Sequence, residues 1–496
     1  MDASGRRSFL TGLLWILLGS VSLLFMGGKW NIPVVTWIGS IFLVRYFRTR
    51  RGAGDVLLAV PFLLASAHVF LIGLAEQVTP AFRILIDVAF TLYLLVPCLV
   101  DGALHGRIAN RLLSSLVYPS ALVVVQFLLS YLDALGTVIT WTGGLFSMKP
   151  LAQLVAITGV WGPSFLVGWL ASTVNTLWEE GFDLSKVKAP AIAFAAAFTV
   201  ALAWGGARMV FFGPGPGTVK AGSVVVGLPE DNYFWTYLDL PPELQAARKE
   251  SYRAASRAVQ DELFAASERI VPSGIRILSW ASGNAPVFAE DVAGFTARLQ
   301  EFARAHQVYF FPCLLVLGDD HGIDRTRVLA IRPDGTIAYT HYKGRNPNAG
   351  YFHGMSLETL DTPYGRIASP ICFEMEAHQL IRQAGRQRVD ILIVPGDEPS
   401  RDNAVVHTEL SMFRGIENGA SVLRTTLEGL TLGVDWQGRE LSRLNYYLTP
   451  DNRTVLTELP VKGARTVYAA LGDWFAWACC ALLALLAALG VVRRRS

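Results

Sequence analysis

Cys372 ends the apolar run RIASPIC and is followed at once by the acidic residues of FEMEAHQ. A thiol at a strand-to-helix turn can be exposed, and a helix N-terminus beside it helps to hold a thiolate. The same turn offers backbone N–H groups to an oxyanion. The plainer reading is a buried small hydrophobe, which free cysteines usually are. Lys343 is the second group with chemical potential. It ends TIAYTHYK and opens the loop GRNPNAG. A lysine at a strand end can serve as a fixed cation for a developing negative charge, or it is a solvated turn residue. The five cysteines (Cys98, Cys313, Cys372, Cys479 and Cys480) are odd in number and irregular in spacing, which argues for free thiols. No His/Cys/Asp cluster has metal-ligand spacing and no glycine-rich phosphate loop follows a strand, so neither metal nor cofactor is expected.

These groups must be positioned by strands and helices, and residues 213–468 supply both. GPGPG at 213–217 reads as a linker. After it come a buried strand at 221–229, a long amphipathic helix at 241–270, a strand at 275–280 and a helix at 289–306. VYFFPCLLVL, TRVLAIRPDGTIAYTHYK and GRIASPIC continue as strands with Asp-Gly and Tyr-Gly turns. HQLIRQAGRQ and TELSMFRGIENG read as helices, VDILIVPGD as a strand, and ASVLRTTLEGLTLGVDWQGR as two more. Alternating strands and helices favour a layered α/β domain. Glu290 and Asp291 are expected to cap the helix that starts there, and Glu374 to stabilise the helix start after Cys372.

The rest of the chain has another character. Of 496 residues, 52% are hydrophobic and 17% charged, with a mean hydropathy of +0.38. Soluble domains carry about a quarter charged residues. Seven apolar stretches precede residue 213, at roughly 8–27, 31–47, 55–75, 80–101, 112–132, 151–173 and 189–212, and an eighth runs from about 470 to 491. A membrane core needs about 20 such residues as helix. Arg6 and Arg7, then Arg48, Arg50 and Arg51, then Arg107 and Arg111, then Lys186 and Lys188, then Arg493, Arg494 and Arg495 flank alternate ends. Basic residues stay in the cytoplasm, so eight spans with both termini inside are self-consistent and 213–468 lies outside. The domain plan is 1–212 as seven spans, 213–468 as the outside domain, and 469–496 as the eighth span with its basic tail. Trp141, Trp161, Trp235, Tyr237, Phe212 and Trp474 are expected as interfacial aromatics or as lining of a lipid entrance. The net charge of +3 gives no reason to expect nucleic acid.

TPYGRIASPICFEMEAHQLIRQAGRQRVDILIVPGDE resembles the cysteine segment of the carbon–nitrogen hydrolase (nitrilase) superfamily, and RPDGTIAYTHYK its lysine segment. FRGIENGASVLRTTLEG, followed by VDWQGR, resembles its later helix and strand pair. LAQLVAITGVWGPSFLVGWLAS is similar to a membrane segment of the apolipoprotein N-acyltransferase family. That family has eight spans with a nitrilase-like domain between the seventh and eighth. The resemblance implies an αββα sandwich and a Glu–Lys–Cys site in which Cys372 is the nucleophile and Lys343 the oxyanion stabiliser. The family's glutamate, in a Trp-Pro-Glu-like motif, falls on Ser282 of IRILSWASGNAP. GRNPNAGYFHG lacks a further glutamate often found after the lysine; its polar groups are Arg345, Asn346, Asn348, Tyr351 and His353. Gly396-Asp397-Glu398 stands for an Asn-Asp-like pair, and Leu427-Glu428-Gly429 for Asn-Thr-Gly. His353, Asp397, Glu398 and His407 are the candidates for a replacement base.

The function implied is acyl transfer in a bacterial cytoplasmic (inner) membrane. An acyl chain would pass from phospholipid to Cys372 as a thioester, then to the N-terminal amine of a diacylglyceryl lipoprotein. The alternative is a catalytically impaired homologue, lacking the glutamate at Ser282, with a binding or regulatory role. More distant is a membrane-tethered amidase or nitrilase.

Overall fold

The computed structural model describes residues 3–72, 80–131, 136–137, 140–230, 233–318, 326–344, 355–398, 401, 403–450 and 453–495. The chain divides into two compact units, residues 1–212 with 471–496, and residues 213–470.

The first unit is helical, and its helices coincide with the eight apolar stretches. They are Ala3–Leu23, Pro33–Thr49, Ala53–Leu71, Pro80–Leu104, Arg111–Ser115 running on into Val117–Leu129, Trp161–Glu179 with its short forerunners, Lys188–Phe211 and Trp474–Arg495. Among the described residues, five helices are long and apolar enough to cross a membrane, and the bent pair Lys149–Thr158 and Trp161–Glu179 makes a sixth. The eightfold count is therefore carried only in part; the helix Pro33–Thr49, for one, has 17 residues. The sixth stretch also differs from a straight span. Its two halves bend by 115°, at Gly159 with a φ of 65°, a left-handed conformation that ends a helix. Arg48 departs from its expected place as a loop charge. It is buried, and its guanidinium meets Asp101 at 2.7 Å and the Ser172 hydroxyl at 2.8 Å.

The second unit is a four-layer α–β–β–α sandwich, as the resemblance implies. Its strands are β1 (Thr218–Val224), β2 (Ile277–Trp280), β3 (Ala285–Phe288), β4 (Tyr309–Phe311), β5 (Cys313–Leu317), β6 (Thr326–Ile331) and β7 (Ile337–Tyr342). They continue as β8 (Leu360–Thr362), β9 (Gly365–Ala368), β10 (Ile391–Asp397), β11 (Ser421–Leu427), β12 (Leu430–Val434), β13 (Glu440–Asn445) and β14 (Thr454–Pro460). The first sheet runs β14-β1-β2-β4-β6-β5-β3 with β7 on β6, and the second runs β13-β12-β11-β10-β9-β8. Strands covered on both faces read as continuous apolar runs, which is why IRILSW and VDILIV show no alternation. Between the sheets lie Ala221, Ile277, Cys313 and Val328 from one side and Ile367, Ile393 and Leu423 from the other. The helices Pro242–Ile270 and Val292–His306 cover the first sheet through Leu263, Phe264, Leu299 and Phe302. The helix Asn403–Asn418 packs on β11 and β12 and against His378–Arg386.

Two local expectations fail. Cys372 opens a five-residue 3-10 turn, Cys372–Glu376, and the α-helix starts only at His378. A turn that short sums little dipole, so the cysteine's surroundings must supply the positive potential. Asp291 precedes Val292–His306 without a side-chain capping bond. It pairs instead with Arg253 at 2.5 Å, as Glu290 does with Lys249 at 2.8 Å.

Candidate active site

Four strand ends converge. β2 leads into the turn that holds Ser282, β7 into Lys343, β9 into Cys372, and β10 ends on Asp397. The Lys343 N–H bonds the Thr326 carbonyl at 2.8 Å, extending the β6–β7 ladder up to the lysine. Cys372 is nearly buried and has a φ of 51°. For a residue with a Cβ that conformation costs about 1–2 kcal/mol, and it persists only where neighbours hold it.

The neighbour that holds it is Glu374. Its fully buried carboxylate accepts from the Ile371 N–H at 2.6 Å and from the Gly344 N–H at 2.7 Å. One side chain thus ties the residue before the cysteine to the residue after the lysine. His341 completes the clamp, with Nε2 at 2.8 Å from Glu374 and Nδ1 at 2.6 Å from Glu358. Burial opposes charge on this imidazole, but the two carboxylates outweigh it and lift its pKa to about 10. Glu374 is therefore structural, as expected, although what it anchors is a loop and a turn rather than an α-helix.

The other face of Cys372 is reactive in character. Its Sγ–H donates to the Asp397 main-chain carbonyl at 3.3 Å. Burial works against the Lys343 ammonium, yet the attraction of Cys372, and then of Asp397, raises its pKa overall. Among the described residues the Lys343 ammonium has no hydrogen bond or ion pair within contact distance. Burial pushes the Asp397 carboxyl up to about 7, against a hydrogen bond from the Trp235 indole to Oδ2 and the pull of Lys343. Asp397 Oδ1 is sealed from solvent and has no partner among the described residues. The carboxylate rests on the turn after β2, where Gly283 has a φ of 74° and an added Cβ would lie 2.5 Å from Oδ2. Only glycine permits that approach.

A second cation stands near. Arg424, buried on β11, donates to Glu398 at 2.5 Å and to Ser411 at 2.9 Å. Its pKa is raised despite burial, by Glu398 first and then by Cys372. Glu398 also holds His407 Nδ1 at 2.9 Å.

Ser282 is fully buried. It lies beside Cys313, whose thiol burial pushes up to about 12. That thiol stays neutral at physiological pH and is no competitor to Cys372. Of the candidate bases, Glu398 and His407 are committed to each other, while His353, with Arg345, Asn346, Asn348 and Tyr351, lies outside the described residues. Among the described candidates, Asp397 combines the location with an open oxygen.

Sequence reasoning missed three residues. Trp235, grouped with the interfacial aromatics, is a donor to Asp397. Of that group Trp141, Trp161 and Tyr237 are buried, and only Phe212 and Trp474 are exposed. Arg424 was detectable as a charge inside the otherwise uncharged strand SVLRTTL. His341, two residues before the lysine, carried no distinctive signal.

No family model matches the chain. Curated relatives do. The chain is 24% identical over 380 residues to the apolipoprotein N-acyltransferase of Geobacter metallireducens, covering 70% of this chain and 68% of that protein. It is 21% identical over 379 residues to the Shewanella oneidensis protein of the same name, covering 72% and 69%. Apolipoprotein N-acyltransferase 1 of Treponema denticola is 32% identical over 138 residues, which span 27% of this chain and only 25% of that protein. Among solved structures, an amidase from Nesterenkonia sp. aligns with a TM-score of 0.38 at 17% identity, covering 50% of this chain and 93% of its own. A carbon–nitrogen hydrolase from Helicobacter pylori G27 aligns with a TM-score of 0.39 at 13% identity, covering 49% and 89%. The resemblance to the apolipoprotein N-acyltransferases thus extends over some 70% of the chain.

Proposed function

We propose that this relative of the apolipoprotein N-acyltransferases moves an acyl chain between lipid-linked substrates through a thioester on Cys372. The Cys372 thiolate attacks the ester carbonyl of a phospholipid, the C–S bond forms, and the ester C–O bond breaks to release the lyso-lipid alkoxide, which takes a proton. The N-terminal amine of a diacylglyceryl-cysteine lipoprotein then attacks the thioester carbonyl: the C–N bond forms, the C–S bond breaks to return the thiolate, and the nitrogen releases one proton, which balances the one taken by the alkoxide. Lys343 stabilises the tetrahedral oxyanion in both halves. The basic flanks Arg6 and Arg7, Arg50 and Arg51, Arg107 and Arg111, Lys186 and Lys188, and Arg493 to Arg495 support a bacterial inner-membrane protein with both termini in the cytoplasm and residues 213–468 outside. An outside acyl-transfer domain tethered by eight spans suits a lipid donor and a lipid-anchored acceptor.

The observation that carries this reading is the thiol itself. A left-handed cysteine is locked beside a lysine, within the field of a second cation. Both cations are placed to stabilise negative charge that develops during acyl transfer. The test uses the full chain in membranes with a phospholipid labelled in its acyl chain. Mass spectrometry should find the label on Cys372, and a synthetic diacylglyceryl-cysteine peptide should remove it as an N-acyl product. Cys372→Ala should abolish both. A thiol that stays free in labelled membranes overturns the reading.

A second reading, an impaired homologue with a binding or regulatory role, is favoured by one observation: a buried serine stands at the family's glutamate position. Turnover in the wild type that is lost in Cys372→Ala would exclude it.

A further inference from the structure

We infer that Asp397 performs the proton transfers that a glutamate at position 282 would otherwise perform. The inference rests on Cys372 being the nucleophile. Its first support is the thiol's own hydrogen bond, which runs to the Asp397 main-chain carbonyl at 3.3 Å. That bond sets the sulfur beside the residue whose side chain is the carboxylate. The second is the placement of the carboxylate, against Gly283, the residue next to Ser282. Asp397 reaches from the second sheet to the turn where the family's glutamate would be rooted in the first. The third is the open Oδ1, sealed from solvent with no partner among the described residues. A buried carboxylate oxygen without a donor is costly, and proton exchange is a function that needs one.

Among the described residues, four face Asp397. Trp235 donates from its helix, Lys343 attracts from the end of β7, and Glu398 repels from the next position, its charge offset by Arg424 and His407. Gly283 brings no charge. With burial dominant, the carboxyl titrates at about 7, where a base can both take and return a proton.

In the first half-reaction the S–H bond breaks and the proton passes to the Asp397 carboxylate. It then leaves for the departing alkoxide oxygen. In the second half-reaction the carboxylate takes a proton from the attacking amine and returns it to sulfur. Ser282 leaves the turn after β2 without a carboxylate of its own, and Asp397 brings one to it.

The experiment is the pH dependence of Cys372 alkylation by iodoacetamide in the detergent-solubilised full chain, read at the peptide level with Cys372→Ala as background. It needs no acyl donor, so its failure is separable from failure of the transferase reading. The wild-type rate should rise through an inflection near 7, which Asp397→Asn should lose. Trp235→Phe removes a bond to the charged carboxylate and should move the inflection upward, an effect that loss of packing alone would not give. Asp397→Asn with Ser282→Glu should regain an inflection. In the transfer assay Asp397→Asn should lose about 10²–10⁴-fold, with partial recovery in the double variant. Asp397→Asn alkylating with the wild-type profile overturns the inference. Should Asp397→Asn not fold, Trp235→Phe decides, and an unmoved inflection overturns it as well.

Discussion

Two sets of buried charges meet at Cys372, and they are built on opposite principles. In one, each charge is paired: Glu374 with His341 and two backbone N–H groups, His341 with Glu358, and Glu398 with Arg424 and His407. In the other, Lys343 has no partner among the described residues and Asp397 keeps one oxygen unbonded. Burial penalises ions in both places. In the paired set the penalty is offset and the groups hold a strained cysteine still. In the unpaired set it is left standing, and the groups remain available to a substrate. Substitutions in the first set should therefore cost structure, and in the second reactivity.

The largest effect belongs to the paired set. Arg424→Met leaves Glu398 buried with His407 alone. Breaking a buried pair from one side costs about 3–5 kcal/mol. A thermal melt of the purified variant should show that loss, with reactivity falling alongside it. A melt unchanged from wild type would break the contrast. Lys343→Met should behave in reverse. Losing one oxyanion-stabilising group costs about 10²–10³-fold in rate, while the melting temperature should hold or rise, because a buried ammonium without an ion-pair partner is removed. Acyl transfer and a melt on the same sample read both.

His341 gives the paired set a pH signature. Its pKa is raised in the folded chain to about 10, above an unfolded value of about 6.5. The stabilisation is fully present below pH 6.5 and is lost as pH climbs through 10. The shift of about 3.5 units sets its upper bound at roughly 5 kcal/mol, since one pKa unit is about 1.4 kcal/mol. Wild type should lose melting temperature from pH 7 to 10, and His341→Gln should show a flatter profile.

Much of this site could be read before any coordinates. Cys372 and Lys343 stand where apolar strands end in polar loops, and strand ends are where a layered α/β domain exposes its chemistry. The order of strands and helices from 241 to 434 followed from apolar runs and turn residues. What escaped depends on approach in space. Trp235 and Asp397 are far apart in sequence, and their bond exists because a left-handed glycine lets the carboxylate settle on a turn of the other sheet. Nothing in WASGNAP alone states which acid comes to it. The bend at Gly159 was hidden in the same way, within an apolar run whose hydropathy is blind to a change of direction. Arg48 showed its charge but not its partner, Asp101, which lies on another helix.

The smallest effect is the most discriminating, because it has the sign that unpaired groups require. Asp397 titrates at about 7 when folded and near 3.9 when unfolded. Between those values the folded chain holds a proton that the unfolded chain has released. Stability therefore falls as pH rises from about 4 to 7 and stays lowered above that. The full shift of about 3 units equals about 4 kcal/mol, and partial exposure of the residue reduces this to about 1–3 kcal/mol. Asp397→Asn keeps the shape and removes the ionisation. It should be more stable than wild type at pH 8, by that amount, and close to it at pH 4, while Cys372 becomes harder to alkylate at the higher pH. Chemical denaturation at the two pH values measures the difference. A variant less stable at pH 8 would mean that the carboxylate is held by bonds it gains on folding, and the contrast between the two charge sets would be lost.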